Sequence, residues 1–268
     1  TFMHADNDLN SLAIVKANNV SLKDKNSLTL TGVSASGDVS LSAKETVNIA
    51  SSCVNDCAEN YGVRAKNLEI DTGVGAITVG KNIDVIDNLT FRANGITVND
   101  ALSAKNINLN AGAGTLLLSE RGNLNGLAGN SIALSGNRIE QRSVIKGNGE
   151  ISLVAADDIQ MANGSLTESL SGNVTYRGKN IALGSIKAVN GSVNLTANGA
   201  ISDNNGDDIN IEANRWNADA IAGIGVGRFG SLGQDAIETD VNILSVRNAG
   251  KLQGDTKINI LNTDSLII

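Results

Sequence analysis

An internal repeat of about twenty residues constrains the fold of this chain more than any other feature. Residues 20–30, Val-Ser-Leu-Lys-Asp-Lys-Asn-Ser-Leu-Thr-Leu, recur nineteen positions later, at residues 39–49, as Val-Ser-Leu-Ser-Ala-Lys-Glu-Thr-Val-Asn-Ile. Each copy holds two triplets of the form aliphatic–polar–aliphatic, which start eight residues apart. A fixed period of this length is typical of stacked units that form their core with their neighbours.

The triplets predict short strands with one apolar side, because side chains alternate between the two faces of a strand. Most middle residues are Ser, Thr or Asn, and most flanking residues are Ile, Val or Leu. A later set of triplets starts at positions 132, 151, 174 and 193. A second set, at positions 139, 159, 181 and 201, follows the first in step. The spacing lengthens and shortens at the same steps in both sets, which indicates one coil with small insertions in its loops.

Strands of this length do not form a stable sheet alone, and no helical periodicity is sustained along the chain. Parallel stacking of each turn on the previous one pairs every strand with its counterpart. We therefore predict an all-β fold, a right-handed parallel β-helix (β-solenoid) that spans 1–268 as a single domain. At about 20 residues per rung the chain supplies roughly 13 rungs and a rod roughly 60 Å long.

The turn residues agree with this fold. The chain has no proline in 268 residues, where average usage of ~5% would give about 13. Proline removes a ladder donor and is excluded from central strands. Glycine and asparagine supply the turns instead, because both tolerate left-handed backbone angles. We expect asparagines at equivalent turns to stack into side-chain ladders.

The repeat is interrupted first at about 50–67, where Cys53 and Cys57 lie four positions apart. We favour a local disulfide that pins this insertion, which suits an oxidising compartment. Two free thiols are the alternative. A metal site is disfavoured, because two thiols and the distant His4 fall short of the usual four ligands.

Two further departures from the repeat are candidate interaction sites. The glycine-rich segment at about 216–233 is predicted to be an excursion packed on the rod, anchored by Trp216 and Phe229. A ligand pocket in this excursion is the alternative. Leu117 takes the polar middle position of a triplet, so we expect it to point outward. Either a loop covers this leucine, or it belongs to a patch for a partner.

The sequence predicts no catalytic, cofactor or metal site, and hence no enzyme. Asp157-Asp158 and Asn262-Thr-Asp264 resemble elements of pectin-hydrolysing glycosidases, but five rungs separate them by roughly 24 Å. Carboxylates that cleave a glycosidic bond lie within about 10 Å of each other. A single histidine leaves no constellation for nucleophilic catalysis. The calcium-like spacing of Asp6, Asp8 and Asn10 lacks the required Gly and Glu.

Charge and hydropathy exclude two classes of partner. The net charge of −7 with interspersed signs disfavours nucleic acid. No apolar run approaches the ~18 residues of a membrane span, so we expect no transmembrane segment. The chain starts at Thr1 without a signal peptide and ends in a strand pattern. We therefore expect it to be part of a larger parent chain.

The rungs at 149–153, 172–176 and 191–195 share the form Gly-polar-Val/Ile-x-Leu/Tyr. Downstream, Ala222-Gly-Ile-Gly-Val is followed by Ala-Ile-Glu-Thr-Asp-Val-Asn-Ile-Leu-Ser-Val at 236–246. This pattern resembles the filamentous-haemagglutinin family, very large bacterial adhesins and exoproteins exported by two-partner secretion. Ala236 stands where the family's Gly-Ile-Gly … Pro-Ile-x-Thr-x-Val-x-x-Leu element commonly has proline. The resemblance implies a filament that is secreted or on the outer cell surface, and it transfers no binding residues.

Three functional hypotheses follow. The first is a structural stalk segment of a large secreted or cell-surface bacterial adhesin, which projects a distal functional domain and contributes to adhesion. The second is a module that binds a receptor or glycan on a host or neighbouring cell through the loops at 50–67 and 216–233. The third is a β-helix enzyme that acts on polysaccharides.

Overall fold

The computed structural model describes residues 1, 3–4, 6–50, 61–126, 131–225, 236–250, 257–263 and 265–267. Over these residues the chain is all-β and forms a parallel β-solenoid of about 11 turns, with roughly 21 residues per turn. The predicted fold class is confirmed. The predicted 13 rungs were too many, because insertions lengthen several turns, and the rod is about 50 Å long. Within the described ranges, no helix is long and apolar enough to cross a membrane.

The strands stack in three columns, each hydrogen-bonded in parallel from turn to turn. The first column contains β2 (Val20–Asp24), β4 (Asp38–Ala43), β7 (Asn67–Asp71), β10 (Asn88–Arg92), β13 (Asn106–Asn110), β16 (Ile132–Gly136), β19 (Ile151–Ala155) and β22 (Val174–Gly178). The second contains β3 (Leu28–Ala35), β5 (Val47–Ile49), β8 (Ile77–Val79), β11 (Ile96–Val98), β14 (Thr115–Leu118), β17 (Arg138–Gln141), β20 (Ile159–Met161), β23 (Ile181–Leu183) and β25 (Ile201–Asp203). The third contains β6 (Val63–Ala65), β9 (Ile83–Val85), β12 (Leu102–Ala104), β15 (Leu124–Gly126), β18 (Val144–Gly147) and β21 (Leu166–Ser169).

Four long strands and one short strand complete the rod. The end of β3 turns the corner into the third column, where it pairs with β6. The remaining strands are β1 (Ser11–Ala17), β24 (Ser185–Ala197), β26 (Ile211–Ala220), β27 (Ile237–Asn248) and β28 (Ile260–Asn262). Strands β24, β26 and β27 each run from the third column into the first, where they pair in register. The first column therefore continues unbroken from β2 to β27.

The register of the first column shows where turns are lengthened. The first inward residues of its successive strands, one in each turn, are Val20, Val39, Leu68, Leu89, Ile107, Ile132, Ile151, Val174, Val193, Trp216 and Leu244. The shortest step between them runs from Leu89 to Ile107, and the longest runs from Val39 to Leu68. The step from Trp216 to Leu244 is nearly as long. The two longest steps coincide with the two predicted interruptions of the repeat.

Both interruptions are shorter than predicted. Within the 50–67 insertion, Val63–Ala65 forms β6 and Asn67 begins β7, so these residues belong to a regular turn. Within the 216–233 excursion, residues 216–220 complete β26, and Ile224 bridges to Ile201 and Ile258 in the second column. The coil thus continues to at least residue 225. Its triplets were not recognised from the sequence because Trp216 and small residues take the aliphatic positions there.

The third strand of each turn was not recognised as a separate column from the sequence. Its second inward residue is small in most turns, as in Ala65, Ala104, Gly126 and Gly147. A Cβ built on Gly126 would lie 3.3 Å from the side chain of Ile132, which starts the following first-column strand. At Gly126 the corner is already filled by that isoleucine, so this strand has no room for a second large aliphatic residue and lacks the repeated triplet. Strand β9 keeps the triplet, because Ile83 and Val85 are both buried there.

The lumen is filled by inward side chains from all three columns. The largest fully buried residues are Trp216, Tyr176 and Phe91, all in the first column. The inward residues beside the tryptophan are Ala218 on the same strand and Ala213 at the preceding corner, and both are buried. Small neighbours thus compensate for the volume of the indole, as close packing requires.

Asparagines stack along one corner, as predicted. The amide of Asn88 donates to Asn67 at 2.8 Å, and the amide of Asn106 donates to Asn88 at 2.8 Å. Asn67 itself donates to Asp38 at 2.8 Å, so the ladder joins four successive turns. Each of these residues stands directly before the first inward residue of a first-column strand. The ladder therefore supports the register of this column at the solvent-exposed corner.

Candidate functional site

Leu117 points outward, as the sequence predicted. It lies in β14 between the buried Leu116 and Leu118, and is half-buried itself. Its partners in the adjacent turns are Thr97 and Glu140, both polar. Leu117 is therefore a single apolar residue between polar neighbours.

Trp216 was wrongly predicted to anchor a loop on the outside of the rod. It lies in β26, points into the lumen and is completely buried. It pairs in register with Val193 and Leu244, which are inward residues of the adjacent turns. Its indole Nε1 has no hydrogen-bond partner among the described residues, which fits a purely apolar filling role. Phe229, Cys53 and Cys57 lie outside the described residues, so the anchor and the disulfide stay predictions.

The acidic pair that resembled a glycosidase element belongs to a turn ladder. Asp157 pairs with Lys179 at 3.3 Å, and one oxygen of Asp158 accepts hydrogen bonds from the backbone and amide of Asn180. Asp264 lies outside the described residues. In the part of the chain that the structure describes, no three His, Cys, Asp or Glu side chains are grouped to hold a metal ion.

A pocket of about 380 Å³ lies at the corner that follows the second column in the middle of the rod. Its charged lining residues are Glu120, Glu140 and Arg142. Glu140 is held between two arginines, 3.0 Å from Arg138 and 3.2 Å from Arg142. Because these guanidinium groups take both of its oxygens, Glu140 is arranged as a structural ion pair and not as an acid or base facing the pocket.

Behind this pocket, the lumen contains a buried polar cluster, which we define as Gln141, Ser143, Thr167 and Tyr176. The Gln141 amide donates to the carbonyls of Ser143 and Leu166 at 3.1 and 3.0 Å. The hydroxyls of Thr167 and Tyr176 lie 2.6 Å apart, and both are within hydrogen-bond distance of Gln141 Oε1, at 3.2 and 3.3 Å. Burial raises the pKa of Tyr176 well above its usual value. The cluster is closed to solvent and internally satisfied, so it is a structural feature and not a binding site.

The outer surfaces of the third and first columns differ in charge. The middle row of the third column is charged and paired from turn to turn: Arg64 with Asp84 at 3.3 Å, Lys146 with Glu168 at 2.8 Å, and Lys187 with Glu212 at 2.7 Å. The corresponding row of the first column contains Ser21, Ser40, Glu69, Thr90, Asn108, Ala133, Ser152, Thr175, Asn194, Asn217 and Ser245. That row has one charge in eleven positions, so it is a nearly uncharged row of hydroxyls and amides.

Over the last three turns, this row and the next outward row of the first column line a groove with a volume of about 380 Å³, which we call the first-column groove. Its amide wall consists of Asn194, Asn217 and Ser245, and its ion-pair wall consists of Thr196, Asp219 and Arg247. Leu195, Ala218 and Val246 lie between the walls and form the floor. The floor side chains pack in the lumen, which leaves backbone as the base of the groove.

The walls follow from strand geometry. Residues two apart on a strand point to the same side, so the walls stand about 7 Å apart. Within each wall, side chains recur at the strand spacing of about 4.8 Å along the rod axis. The groove thus runs parallel to the axis, across the ends of β24, β26 and β27.

Hydrogen bonds hold both walls. Asn217 Nδ2 donates to Asn194 Oδ1 at 2.8 Å, which aligns the two amides. On the opposite wall, the guanidinium of Arg247 donates through two nitrogens to the two oxygens of Asp219, and this hydrogen bonding raises the pKa of Arg247. The bidentate geometry fixes both planar groups. The walls therefore carry a high density of donors and acceptors and no net charge.

The sequence predicted the outward orientation of only one wall residue. Asn194 is the middle residue of a recognised triplet, and its outward orientation was expected. Asn217 was assigned to a loop because Trp216 hides the triplet. Neither Asp219 nor Arg247 carries a motif, since their pairing joins residues 28 positions apart across one turn.

Comparison of the chain with models of protein families, with curated proteins and with solved structures found no match. The first-column groove, with its amide and ion-pair walls, is the candidate functional site of the described residues.

Proposed function

We propose that this chain is a structural stalk segment of a large secreted or cell-surface bacterial adhesin, which holds a distal functional domain away from the cell. The supporting observation is the first column, in which eleven turns pair in continuous register from Val20 to Leu244. A rod built in this way gains a fixed length of about 4.8 Å with every turn.

The side-chain ladders support a mechanical role. The asparagine ladder at the corner and the ion pairs of the third column join adjacent turns on the outside, while the lumen joins them on the inside. Strand pairing joins each turn to its two neighbours, so the rod resists bending through these local interfaces. The resemblance of the Gly-polar-Val/Ile rungs to filamentous-haemagglutinin repeats supports the same function.

An excision of whole turns tests this proposal in the surface-displayed parent protein. Deletion of residues 68–131 removes three turns and joins Asn67 to Ile132, which occupies the same register position as Leu68. We expect the filament to stay displayed and to be shorter by about 14 Å. Unchanged reach, or loss of activity out of proportion to length, would contradict a stalk function.

Lateral binding is a second candidate function, favoured by the first-column groove. The two loops at 50–67 and 216–233 were the predicted binding surface, and their central residues lie outside the described ranges. The groove is formed instead by the regular strands β24, β26 and β27.

A further inference from the structure

We propose that the first-column groove binds an extended, uncharged, hydroxyl-rich ligand, a neutral glycan chain that lies along the rod axis. This proposal does not depend on the stalk function, because it concerns side chains of three turns only. It goes beyond the predicted binding loops, since both walls belong to the regular strands β24, β26 and β27.

The dimensions of the groove fit a single chain. The volume of about 380 Å³ lies in the range of small-ligand sites, roughly 300–1,000 Å³. The walls are about 7 Å apart, and the three side chains of each wall span about 10 Å along the axis. An unbranched oligosaccharide of a few sugar units can lie along the axis above the backbone floor, with its hydroxyl groups reaching the ends of the side chains in each wall.

The chemistry of the walls favours hydroxyl groups. Each Asn amide has two N–H donors and an acceptor oxygen, so Asn194 and Asn217 keep bonding capacity beyond their mutual bond. Asp219 adds acceptors and Arg247 adds donors, in fixed planar orientations. A sugar hydroxyl both donates and accepts, so it can bond with either wall.

The charge balance favours a neutral ligand. Asp219 and Arg247 neutralise each other within the ion-pair wall, and the amide wall carries no charge. An anionic chain would gain attraction from Arg247 and suffer repulsion from Asp219. The next cation along this wall, Arg177, lies one turn before Thr196 and outside the lining, so a uronate chain is a necessary comparison.

The floor disfavours an extended peptide. Such a peptide would bind by adding a strand to a free sheet edge. The backbone of β26 is already paired with β24 on one side and β27 on the other. The groove also has no apolar wall for peptide side chains, since all six wall residues are polar.

Isothermal titration of the 268-residue chain with neutral hexasaccharides of glucose, N-acetylglucosamine and mannose tests the proposal. Hexagalacturonate and an extended polar hexapeptide serve as the anionic and peptide probes. We expect saturable binding of at least one neutral hexasaccharide and weaker binding of both other probes. No binding of any neutral probe, or preference for the uronate or the peptide, would overturn the proposal.

Variants locate the binding. Asn217→Ala should weaken the neutral complex roughly tenfold, because it removes amide bonds to the ligand and releases Asn194. Asn108→Ala is the matched control, since Asn108 occupies the same outward row in β13, away from the groove. Equal affinities for these two variants would place the ligand elsewhere and overturn the assignment.

Two further variants keep the test decisive if Asn217→Ala does not fold. Ser245→Tyr adds bulk to an exposed wall position and should abolish binding, while leaving the far-ultraviolet circular dichroism unchanged. Asp219→Asn leaves Arg247 unneutralised and should shift preference toward hexagalacturonate. The chain that lacks residues 68–131 retains the groove and should bind like the full chain, so failure of the stalk function and failure of glycan binding are distinguishable.

Discussion

Two stretches of the lumen differ in chemistry although they share one backbone geometry. From β5 to β14, the buried inward side chains of the strands are aliphatic except for Phe91. From β17 to β22, three of these positions hold Gln141, Thr167 and Tyr176, which hydrogen-bond to one another inside the rod.

The contrast shows which part of the lumen determines register. Ile, Leu and Val at inward positions of neighbouring turns are nearly interchangeable, so an apolar stretch tolerates a slip of one turn. The buried polar cluster joins three successive turns, through Gln141, Thr167 and Tyr176. A slip would place Leu118 or Met161 where Gln141 stands and would remove the amide that bonds the two buried hydroxyl groups, which is costly. The apolar stretch thus provides stability, and the polar stretch discriminates the native register from registers slipped by one turn.

The largest expected effect lies in the apolar stretch. Leu109 in β13 is completely buried. Leu109→Ala should lower the free energy of unfolding by about 3 kcal/mol, because the rigid turns above and below cannot close the cavity. Urea denaturation followed by circular dichroism measures the change. Asn108→Ala, at the adjacent outward position, should stay within about 0.5 kcal/mol of the native chain. Similar losses from both variants would refute the assignment of inward and outward positions.

Gln141→Ala should have the next largest effect. It removes the acceptor of two buried hydroxyls and the donor to two carbonyls, which should cost about 2 kcal/mol in the same denaturation experiment.

The triple variant Gln141→Leu, Thr167→Val, Tyr176→Phe is its matched comparison. It removes Gln141 together with both of its hydroxyl partners, so no buried hydroxyl loses its acceptor, and it should lie within about 1 kcal/mol of the native chain. If the triple variant loses more stability than Gln141→Ala, the cluster contributes to stability itself, and the contrast between the two stretches fails.

Tyr176→Phe should have a smaller effect that depends on pH. At pH 7 the variant should be less stable by about 1 kcal/mol, because it loses the phenolic hydrogen bonds. Burial raises the pKa of Tyr176 in the folded chain, whereas the unfolded tyrosine titrates near pH 10. Above about pH 10 the unfolded state releases a proton that the folded state retains, so native stability falls by roughly 1.4 kcal/mol per pH unit. The stability difference between native chain and variant should therefore close near pH 11 in parallel urea titrations. A constant difference from pH 7 to pH 11 would contradict the buried position of the phenol.

The outer ion pairs should have the smallest effect. Lys187 and Glu212 lie 2.7 Å apart, with 43% and 31% of their side chains exposed. Solvent screening limits such a pair, so Lys187→Ala should change the free energy of unfolding by no more than about 0.5 kcal/mol. The change should disappear in about 1 M salt, where the Debye length is about 3 Å. A salt-independent loss above about 1 kcal/mol would mean that the outer rows rival the lumen in stabilising the rod.

The sequence predicted the stacking but misjudged the number of strands in a turn. Triplets such as Val20-Ser-Leu22 and Val193-Asn-Leu195 identified the first column, and the alternation predicted which side chains point inward. The third column was missed as a separate stack because Ala65, Gly126 and related residues are small there. At Gly126 the small size is explained by Ile132, whose side chain fills the same corner from the next strand.

The candidate groove was less predictable than the fold. The orientation of Asn194 followed from its triplet, whereas Trp216 was read as a loop anchor because a large aromatic side chain was not expected in a narrow lumen. The lumen has room for the Trp216 indole because its inward neighbours, Ala213 and Ala218, are small. The pairing of Asp219 with Arg247 joins residues 28 positions apart, beyond the reach of any local pattern.

The amino-acid sequence alone determined that this chain is a parallel solenoid, because a period of about twenty residues with alternating polarity leaves stacking as the way to bury its apolar side chains. The tertiary structure decided how many columns a turn contains, where each interruption ends and which outward residues form walls. These properties depend on contacts between turns, whose lengths differ as widely as the step from Leu89 to Ile107 and the step from Val39 to Leu68. A repeat in the sequence records which residues face inward, whereas the register of the folded coil decides which of them meet.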